Sequence, residues 1–555
     1  MICLNLPSKY WELLLRPNIS EAGSGFASKL PVILALMLLY HGMSAQCAGI
    51  DVENNSITLS LRSEPPTLDS TLQEDVDSYL IITHIQEGLV NLNRRGEIVP
   101  GVAHKWEFKD REITFWLRED AKWSDGKPVT AADFSYALHR LVDPKTGAGG
   151  STAYVHLFVN GTDILNGLKP VDALGVDVID EHTLKIRLSV QAPYALNLFT
   201  GSPYMPLRQD FVEAQEGRYA ADAGNLLSNG PFMVESWVHG ASLKLIKNPH
   251  YWNSDRIQLE ALNFAYMTPD FRAKYNLFNS GELASFRINS TLLNDAMEDG
   301  LRIHKAPMNC TSWVGMSFDR TRPTNNIHLR RAISHAIDRD TYADKIVGLP
   351  GAVKVDSIFP SSTRGAVASF QHEHPAQELN YDMVEARESL HAAKRELGKE
   401  MPPLTLLVSE VYLTQAEFLQ AQLINHLGIE VRIDTQAFKQ YLVKLTEGDF
   451  DLSLAGFCWG ALTDPIAWVS LFTEHSSWNS FGYDNPEYNQ LEQRTHHSQE
   501  IVERMNIFGR LQEILFEDRV VVPLTESSYV YLQDRRLKGV TRSPGINYST
   551  GRIAN

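Results

Sequence analysis

The chain has 555 residues, 43% apolar and 21% charged, with a formal net charge of −16. That length is more than one hydrophobic core organises, so two or more lobes are expected, in a globular rather than a disordered chain. The acidic surplus, with no basic stripe along the sequence, argues against a nucleic-acid binder.

At the N-terminus Lys29 precedes the apolar run Pro31-Val-Ile-Leu-Ala-Leu-Met-Leu-Leu-Tyr40, which is followed by Gly42-Met-Ser-Ala-Gln-Cys-Ala-Gly49. A run of about ten apolar residues is too short to span a bilayer and suits the core of a signal peptide. Residues 1–48 are therefore read as a signal peptide with an N-terminal extension, cleaved after Ala45 or Ala48, and the mature protein as exported and periplasmic. Cys47 raises lipid anchoring, but Ser44-Ala-Gln46 is a poor approach to a lipidated cysteine. Of the other cysteines, Cys3 lies in the leader, and Cys310 and Cys458 are free to pair if the compartment is oxidising. No cysteine or histidine spacing fits a structural zinc site.

Ile57-Thr-Leu-Ser-Leu-Arg62 alternates as a half-buried strand does, and Ser63-Glu-Pro-Pro ends it. A helical pattern then runs from Val76 through Tyr79, Ile82 and Ile85 to Leu89. The stretch Ile98–Trp106 reads as a turn leading to a strand at Glu112–Arg118. In Lys122-Trp-Ser-Asp-Gly-Lys-Pro-Val-Thr-Ala-Ala-Asp133, Asp125-Gly126 and Pro128 make a turn, and Thr130 with Asp133 resembles a capping box that opens a helix through Phe134, Ala137, Leu138 and Leu141. Strand, turn and capped helix in this order indicate a mixed α/β fold. Trp123 and Trp252 read as core aromatics. Gly147-Ala-Gly-Gly150 reads as a loop. Ala332, Ile333, Ala336 and Ile337 form a helical stripe, and Tyr381–Leu390 an amphipathic helix. In Gly448-Asp-Phe-Asp-Leu-Ser-Leu-Ala-Gly-Phe-Cys-Trp-Gly460 a strand opens into a glycine-rich turn. Gly456 marks either a close backbone approach or an ordinary strand end.

No P-loop, GxSxG, HExxH or SxxK arrangement is present, so a secreted hydrolase is the weaker alternative and no cofactor is expected. His372-Glu-His374 and His496-His497 invite a metal, but both lie in polar segments read as exposed, and no metal is expected.

Pro100-Gly-Val-Ala103, Ile113-Thr-Phe-Trp-Leu-Arg118 and Ala121–Phe134 closely resemble the family 5 extracytoplasmic solute-binding proteins of peptide and nickel ABC importers, the oligopeptide-binding members above all. Gly175–Leu184, Asn229-Gly-Pro-Phe232, Asn248–Asn253, Arg330–Arg339, Leu427–Val431 and Gly448–Asp451 continue the resemblance over essentially the whole mature chain. It implies a two-lobed periplasmic-binding-protein fold of the class II type with an extra inserted domain. Lobe I is placed at 49–87, 209–309 and 528–555, the inserted domain at 88–208 and lobe II at 310–527. It also implies a monomer that holds a peptide-like ligand between the lobes by β-strand addition and delivers it to a membrane permease. The matching pairing segments are Glu74-Asp75-Val76 in lobe I and Gly456-Phe457-Cys458 in lobe II, with glycine at 456 leaving room for the ligand backbone. Phe457 and Trp459 either wall side-chain pockets or pack inward; Tyr154 and Phe438 are further aromatic candidates. The resemblance pairs Cys310 with Cys458.

Departures from the family pattern are as informative. The aspartate that receives the ligand's α-amino group falls at Gly460 or Ala461 here. The two arginines and the lysine that receive its carboxylate fall at Leu445, Leu454 and Val347, with Lys345 and Lys444 the nearby substitutes. The amine clamp is therefore absent or rebuilt from Asp464, Glu74 or Asp75, and a modified or cell-wall peptide, another solute, or a ligand-sensing role stays open beside peptide uptake.

Overall fold

The computed structural model describes residues 48–554 except 95, 153, 193, 399, 459–463, 475, 477, 499, 543 and 544. The signal-peptide reading, Cys47 and Trp459 lie outside the described residues.

In chain order, β1 (Ser56–Leu61) leads to α1 (Val76–Ile85). Next come β2 (Ala103–Lys109), β3 (Glu112–Leu117), α2 (Ala131–Val142), β4 (Val176–Asp180) and β5 (Thr183–Arg187). Then follow β6 (Phe232–Val238), β7 (Ser242–Lys247), β8 (Ala261–Met267), β9 (Ser285–Arg287) and β10 (Ile303–Met316). The rest is α3 (Ile327–Ala336), α4 (Met383–Leu397), β11 (Leu404–Ser409), α5 (Leu413–Leu427), β12 (Val431–Gln436), α6 (Phe438–Glu447), β13 (Leu452–Cys458), α7 (Ile501–Glu517) and β14 (Val521–Gln533).

These form three sheets. Lobe I carries the order Ile50–Asp51, β1, β8, β7, β6, with β1 and β8 parallel. The inserted domain is the antiparallel order β2-β3-β5-β4. The third sheet, built mostly from lobe II with β9 and the ends of β10 and β14 from lobe I, is the order β9-β14-β10-β13-β11-β12, with the short strand Val353–Lys354 on β14. Helix α5 makes the crossover between the parallel strands β11 and β12, as parallel pairing requires. The stretch 98–106, read from sequence as a turn, instead holds the strand Ile98–Pro100 and most of β2, because Trp106 and Phe108 pair across to Phe115 and Ile113. The capping box is present at α2: the Asp133 carboxylate accepts from the Thr130 backbone N–H at 2.8 Å and from the Trp123 indole at 3.1 Å, which buries Trp123 in the core.

Two strands join the lobes. β10 and β14 pair from Ile303↔Leu532 to Pro307↔Ser528, then again from Thr311↔Glu526 to Gly315↔Val521. The shift between Pro307 and Thr311 leaves extra residues on β10, among them buried Asn309 at φ 53°. Such a bulge raises local twist and bends the ribbon at the crossing.

The inserted domain is fixed to lobe I by buried polar contacts. Arg140 of α2 holds Asp69 bidentately at 2.9 and 2.6 Å. The buried Glu87 carboxylate accepts from Tyr251 at 2.7 Å, Trp252 at 2.6 Å and Asn91 at 2.8 Å. Burial raises its pKa, and these three donors work against that rise. The inserted domain also meets lobe II, where Leu198, Phe199 and Tyr194 share one apolar cluster with Trp468, Phe472 and Phe508.

Candidate ligand-binding site

β13 lies between β10 and β11, and its two edges differ. Along one edge every residue from Leu452 to Cys458 has a partner on β10. Along the other, β11 pairs only with Leu452 and Ser453. From Leu454 to Cys458 no strand among the described residues pairs with that edge, and the Leu454 carbonyl accepts from the Tyr441 hydroxyl at 3.1 Å. An uncovered strand edge is a template for an added strand. β11 and β13 run parallel, so their carboxyl ends, Ser409 and Cys458, finish on the same side of the sheet, where ligands of open α/β sheets bind.

Gly456 and Cys458 are exposed on this edge, while Phe457 is half-buried and meets Trp468 and Trp478 edge-on at 6.4 and 6.1 Å. Glycine at 456 also has a reason within the protein. A Cβ there would stand 2.9 Å from the Thr311 carbonyl oxygen and 3.3 Å from the Ser312 Cα, in the backbone of β10. Cys310 and Cys458 form a disulfide between directly opposed residues of β10 and β13, with Cα atoms 4.2 Å apart.

Residues 74–76, expected as a strand-like pairing segment, are a turn and the start of α1. Asp75 is the N-cap: its carboxylate accepts from the backbone N–H of Asp77 at 2.9 Å and of Ser78 at 2.8 Å, satisfying donors that a helix start leaves open. Val76 is exposed on the first turn. The Glu74 carboxylate accepts from the Gly150 N–H at 2.8 Å, tying this turn to the inserted domain. Asp464 grips Arg504 of α7 through both oxygens, at 2.6 and 2.8 Å. All three acids considered for an amine clamp therefore already have partners. Among the bases, Lys444 pairs with Asp434, and Lys345 is exposed in the π-helix Tyr342–Val347 that follows α3. Phe438 is exposed at the start of α6 and stacks on Tyr441 at 6.3 Å, and half-buried Tyr154 packs on the inserted domain's core.

His496, read from sequence as exposed, is buried. Its Nδ1 lies 3.0 Å from the Tyr194 hydroxyl and its Nε2 3.1 Å from Glu492, one turn earlier on its helix. The Arg504 guanidinium sits 5.1 Å from the Tyr194 ring. Tyr194 belongs to the inserted domain and the other three to lobe II, so this network bridges the two units. Polarity alone misplaced His496; no local sequence signal reveals a partner 302 residues away.

A cavity of about 610 Å³ lies at the β10–β14 crossing, between Lys305, Pro307, Gly351, Gln371, Glu526 and Ser528. None of the residues singled out from sequence lines it. Among the described residues no group of histidines, cysteines or carboxylates could hold a metal ion, and no helix is long and apolar enough to cross a membrane.

The family model for "Bacterial extracellular solute-binding proteins, family 5 Middle" matches residues 97–480. The chain is 29% identical over 504 residues to the periplasmic murein peptide-binding protein MppA of Escherichia coli, covering 89% of this chain and 91% of the relative. It is 27% identical over 497 residues to the dipeptide-binding protein DppE of Bacillus subtilis, covering 87% and 88%. The structure of Listeria monocytogenes OppA bound to peptide superimposes with a TM-score of 0.77 at 26% identity, covering 90% of this chain and 99% of that one.

Proposed function

The chain belongs to the bacterial extracellular solute-binding proteins of family 5, and from that premise we propose that it captures a peptide between its lobes outside the cytoplasmic membrane and hands it to the permease of an ABC importer. The moving parts are lobe I with the inserted domain (49–309 and 528–555) and lobe II (310–527), turning about the β10–β14 crossing. The one observation that carries the reading is the edge of β13 from Leu454 to Cys458 with which no described strand pairs, held in place by the disulfide to β10. An extended peptide laid along it adds a strand. Main-chain hydrogen bonds supply affinity without reading side chains, and pockets beside Phe457 set selectivity. Closure then buries the ligand, and the permease selects the closed state.

Because Glu74, Asp75 and Asp464 are engaged and no acid stands among residues 459–463, the peptide's α-amino group is not clamped by a free carboxylate in this segment. Peptides with a modified amino end are therefore accepted. No catalytic role is assigned; members of this family are solute-binding proteins.

The test is calorimetric titration of the mature protein with tetrapeptides carrying a single backbone N-methyl group. Strand addition uses alternate amides, so methylation at alternate positions should weaken binding about tenfold, the value of one main-chain hydrogen bond, and leave the intervening positions unaffected. Equal tolerance at every position would refute the strand-addition mode. N-acetylation of the same peptides should change affinity by less than about threefold, against the larger loss expected where a buried ammonium has a counter-charge.

A further inference from the structure

Tyr194 is a point at which the inserted domain enters lobe II. Its side chain is buried, and its hydroxyl lies 3.0 Å from Nδ1 of His496, 302 positions further along the chain. His496 is 7% exposed and Glu492 4%, so the contact is nearly dry. The other ring nitrogen of His496, Nε2, is 3.1 Å from the Glu492 carboxylate, one turn earlier. Glu492 is itself held, accepting from the Ser470 hydroxyl at 3.0 Å. A carboxylate only accepts, so Nε2 carries its proton toward Glu492 and Nδ1 is left to accept the Tyr194 O–H. Lobe II thus presents a finished socket, and the inserted domain contributes one hydroxyl to it.

The inserted domain is not free to follow lobe II. Besides the Arg140 and Glu87 contacts, the Ser202 hydroxyl donates to the Gln73 side-chain carbonyl at 2.8 Å. The Ser124 N–H donates to the Ser228 carbonyl at 2.7 Å, and the Ser228 N–H to the Ser124 hydroxyl at 3.2 Å. All of these tie it to lobe I. The chain passes between lobe I and lobe II on β10 and β14, where the shift between Pro307 and Thr311 bends the ribbon. A turn about that crossing carries the inserted domain across lobe II. At about 10 Å from the axis, a turn of about 15° moves a group by roughly 2.6 Å, whereas a hydrogen bond is lost beyond about 3.5 Å between its heavy atoms. Tyr194 and His496 therefore part when the lobes open, while the bonds from His496 to Glu492 and from Ser470 to Glu492 stay within lobe II.

We propose that Tyr194 and His496 form a latch that sets how long the lobes stay shut over a captured solute. The latch rests on the capture reading above and adds to it the contact that governs release. Neither residue belongs to the edge of β13, so both are positioning residues that act on the ligand through the placing of the lobes. Opening exchanges their bond for bonds to water, which leaves the shut state ahead by about one hydrogen bond, about tenfold in the ratio of shut to open molecules. The open form that first meets the ligand lacks this bond, so it acts on the off-rate and leaves the on-rate alone.

Stopped-flow fluorescence with unmodified tetrapeptides gives both rates, since Trp468 and Trp478 stand beside Phe457 and report binding. Tyr194→Phe keeps the ring and removes only the hydroxyl. Its off-rate should rise about tenfold with the on-rate within about twofold of the wild type, and His496→Leu should do the same. The double variant should be no faster than either single one, because both changes remove the same bond. His496→Gln, whose side-chain carbonyl still accepts the hydroxyl, should keep most of the wild-type off-rate. Without any peptide, X-ray scattering of Tyr194→Phe should give a larger radius of gyration than the wild type. A packing contact between domains that never part would instead lower the thermal midpoint and leave both rates and the radius unchanged. That result, or additive effects in the double variant, would overturn the latch and leave peptide capture standing. If the wild type binds no peptide, the peptide reading falls, and the two radii by themselves uphold the latch or overturn it.

Discussion

Replacing Asp464 with asparagine separates a ligand clamp from a structural ion pair. The Arg504 side chain is only 1% exposed and Asp464 14%. Two of the guanidinium nitrogens are held by the two carboxylate oxygens, at 2.6 and 2.8 Å, and Nε donates to the Thr495 carbonyl at 3.0 Å. The rings of Phe508 and Tyr194 lie 4.8 and 5.1 Å from the guanidinium. Asp464→Asn keeps the shape, leaves a single acceptor oxygen and strands a positive charge in a site with almost no water. Breaking one side of a buried pair costs about 3–5 kcal/mol. At roughly 2 °C per kcal/mol for a large folding unit, the thermal midpoint of lobe II should fall by about 6–10 °C in differential scanning calorimetry. Peptide affinity, measured well below that midpoint, should change by less than about threefold, since no ligand contact is lost. Loss of binding to free-amine peptides with retained binding to acetylated ones, at an unchanged midpoint, would refute this and make Asp464 the amine clamp. Arg504→Met should recover much of the stability in the Asp464→Asn background, because replacing both partners removes the stranded charge.

Burial lowers the pKa of His84 from 6.5 to about 4, while its Nδ1–H donates to the Leu80 carbonyl at 2.6 Å and its Nε2 accepts the Tyr548 N–H at 2.8 Å. With the folded value below the unfolded one, its contribution is full above pH 6.5 and is lost as pH falls toward 4, up to about 3 kcal/mol. Urea midpoints should fall over that window, and His84→Gln should flatten the slope; a slope equal in the variant would refute the assignment. Cys310 and Cys458 close a loop of sequence separation 148, so Cys458→Ser should destabilise lobe II by about 2–4 kcal/mol in urea unfolding. The same change should weaken peptide binding by loosening the edge of β13; unaltered affinity would mean that the edge is held without the disulfide. Gly456→Val should impair both stability and binding, because its Cβ meets the Thr311 carbonyl at 2.9 Å in the backbone of β10. A variant that binds normally would remove that edge from the site.

Local order was legible from residues alone wherever the cause is local. The apolar stripe at Ala332, Ile333 and Ala336 (Ile337, read with them, is the extended residue that ends the helix), the Thr130–Asp133 cap and the alternation through Leu452, Ser453 and Leu454 all follow from periods of 3.6 or 2 and from donors within three residues. Even the role of Asp75 had a readable signal, an acidic residue just ahead of a helical pattern, that was outweighed by its family position. The joining of Cys310 to Cys458 and the two-lobed architecture came through resemblance, which carries tertiary information that periodicity does not hold.

Tertiary structure alone decided how each charge and each glycine is used. Whether Asp464 is a clamp or a counter-ion depends on Arg504, forty positions away, and whether His496 is exposed depends on Tyr194 in another domain. Gly456 is small because β10 crosses it. Neutralisation and close packing act through space over a few ångströms and are indifferent to separation along the chain. A sequence therefore writes its strands and helices openly, while the free or spent state of its charged groups appears only when distant segments meet.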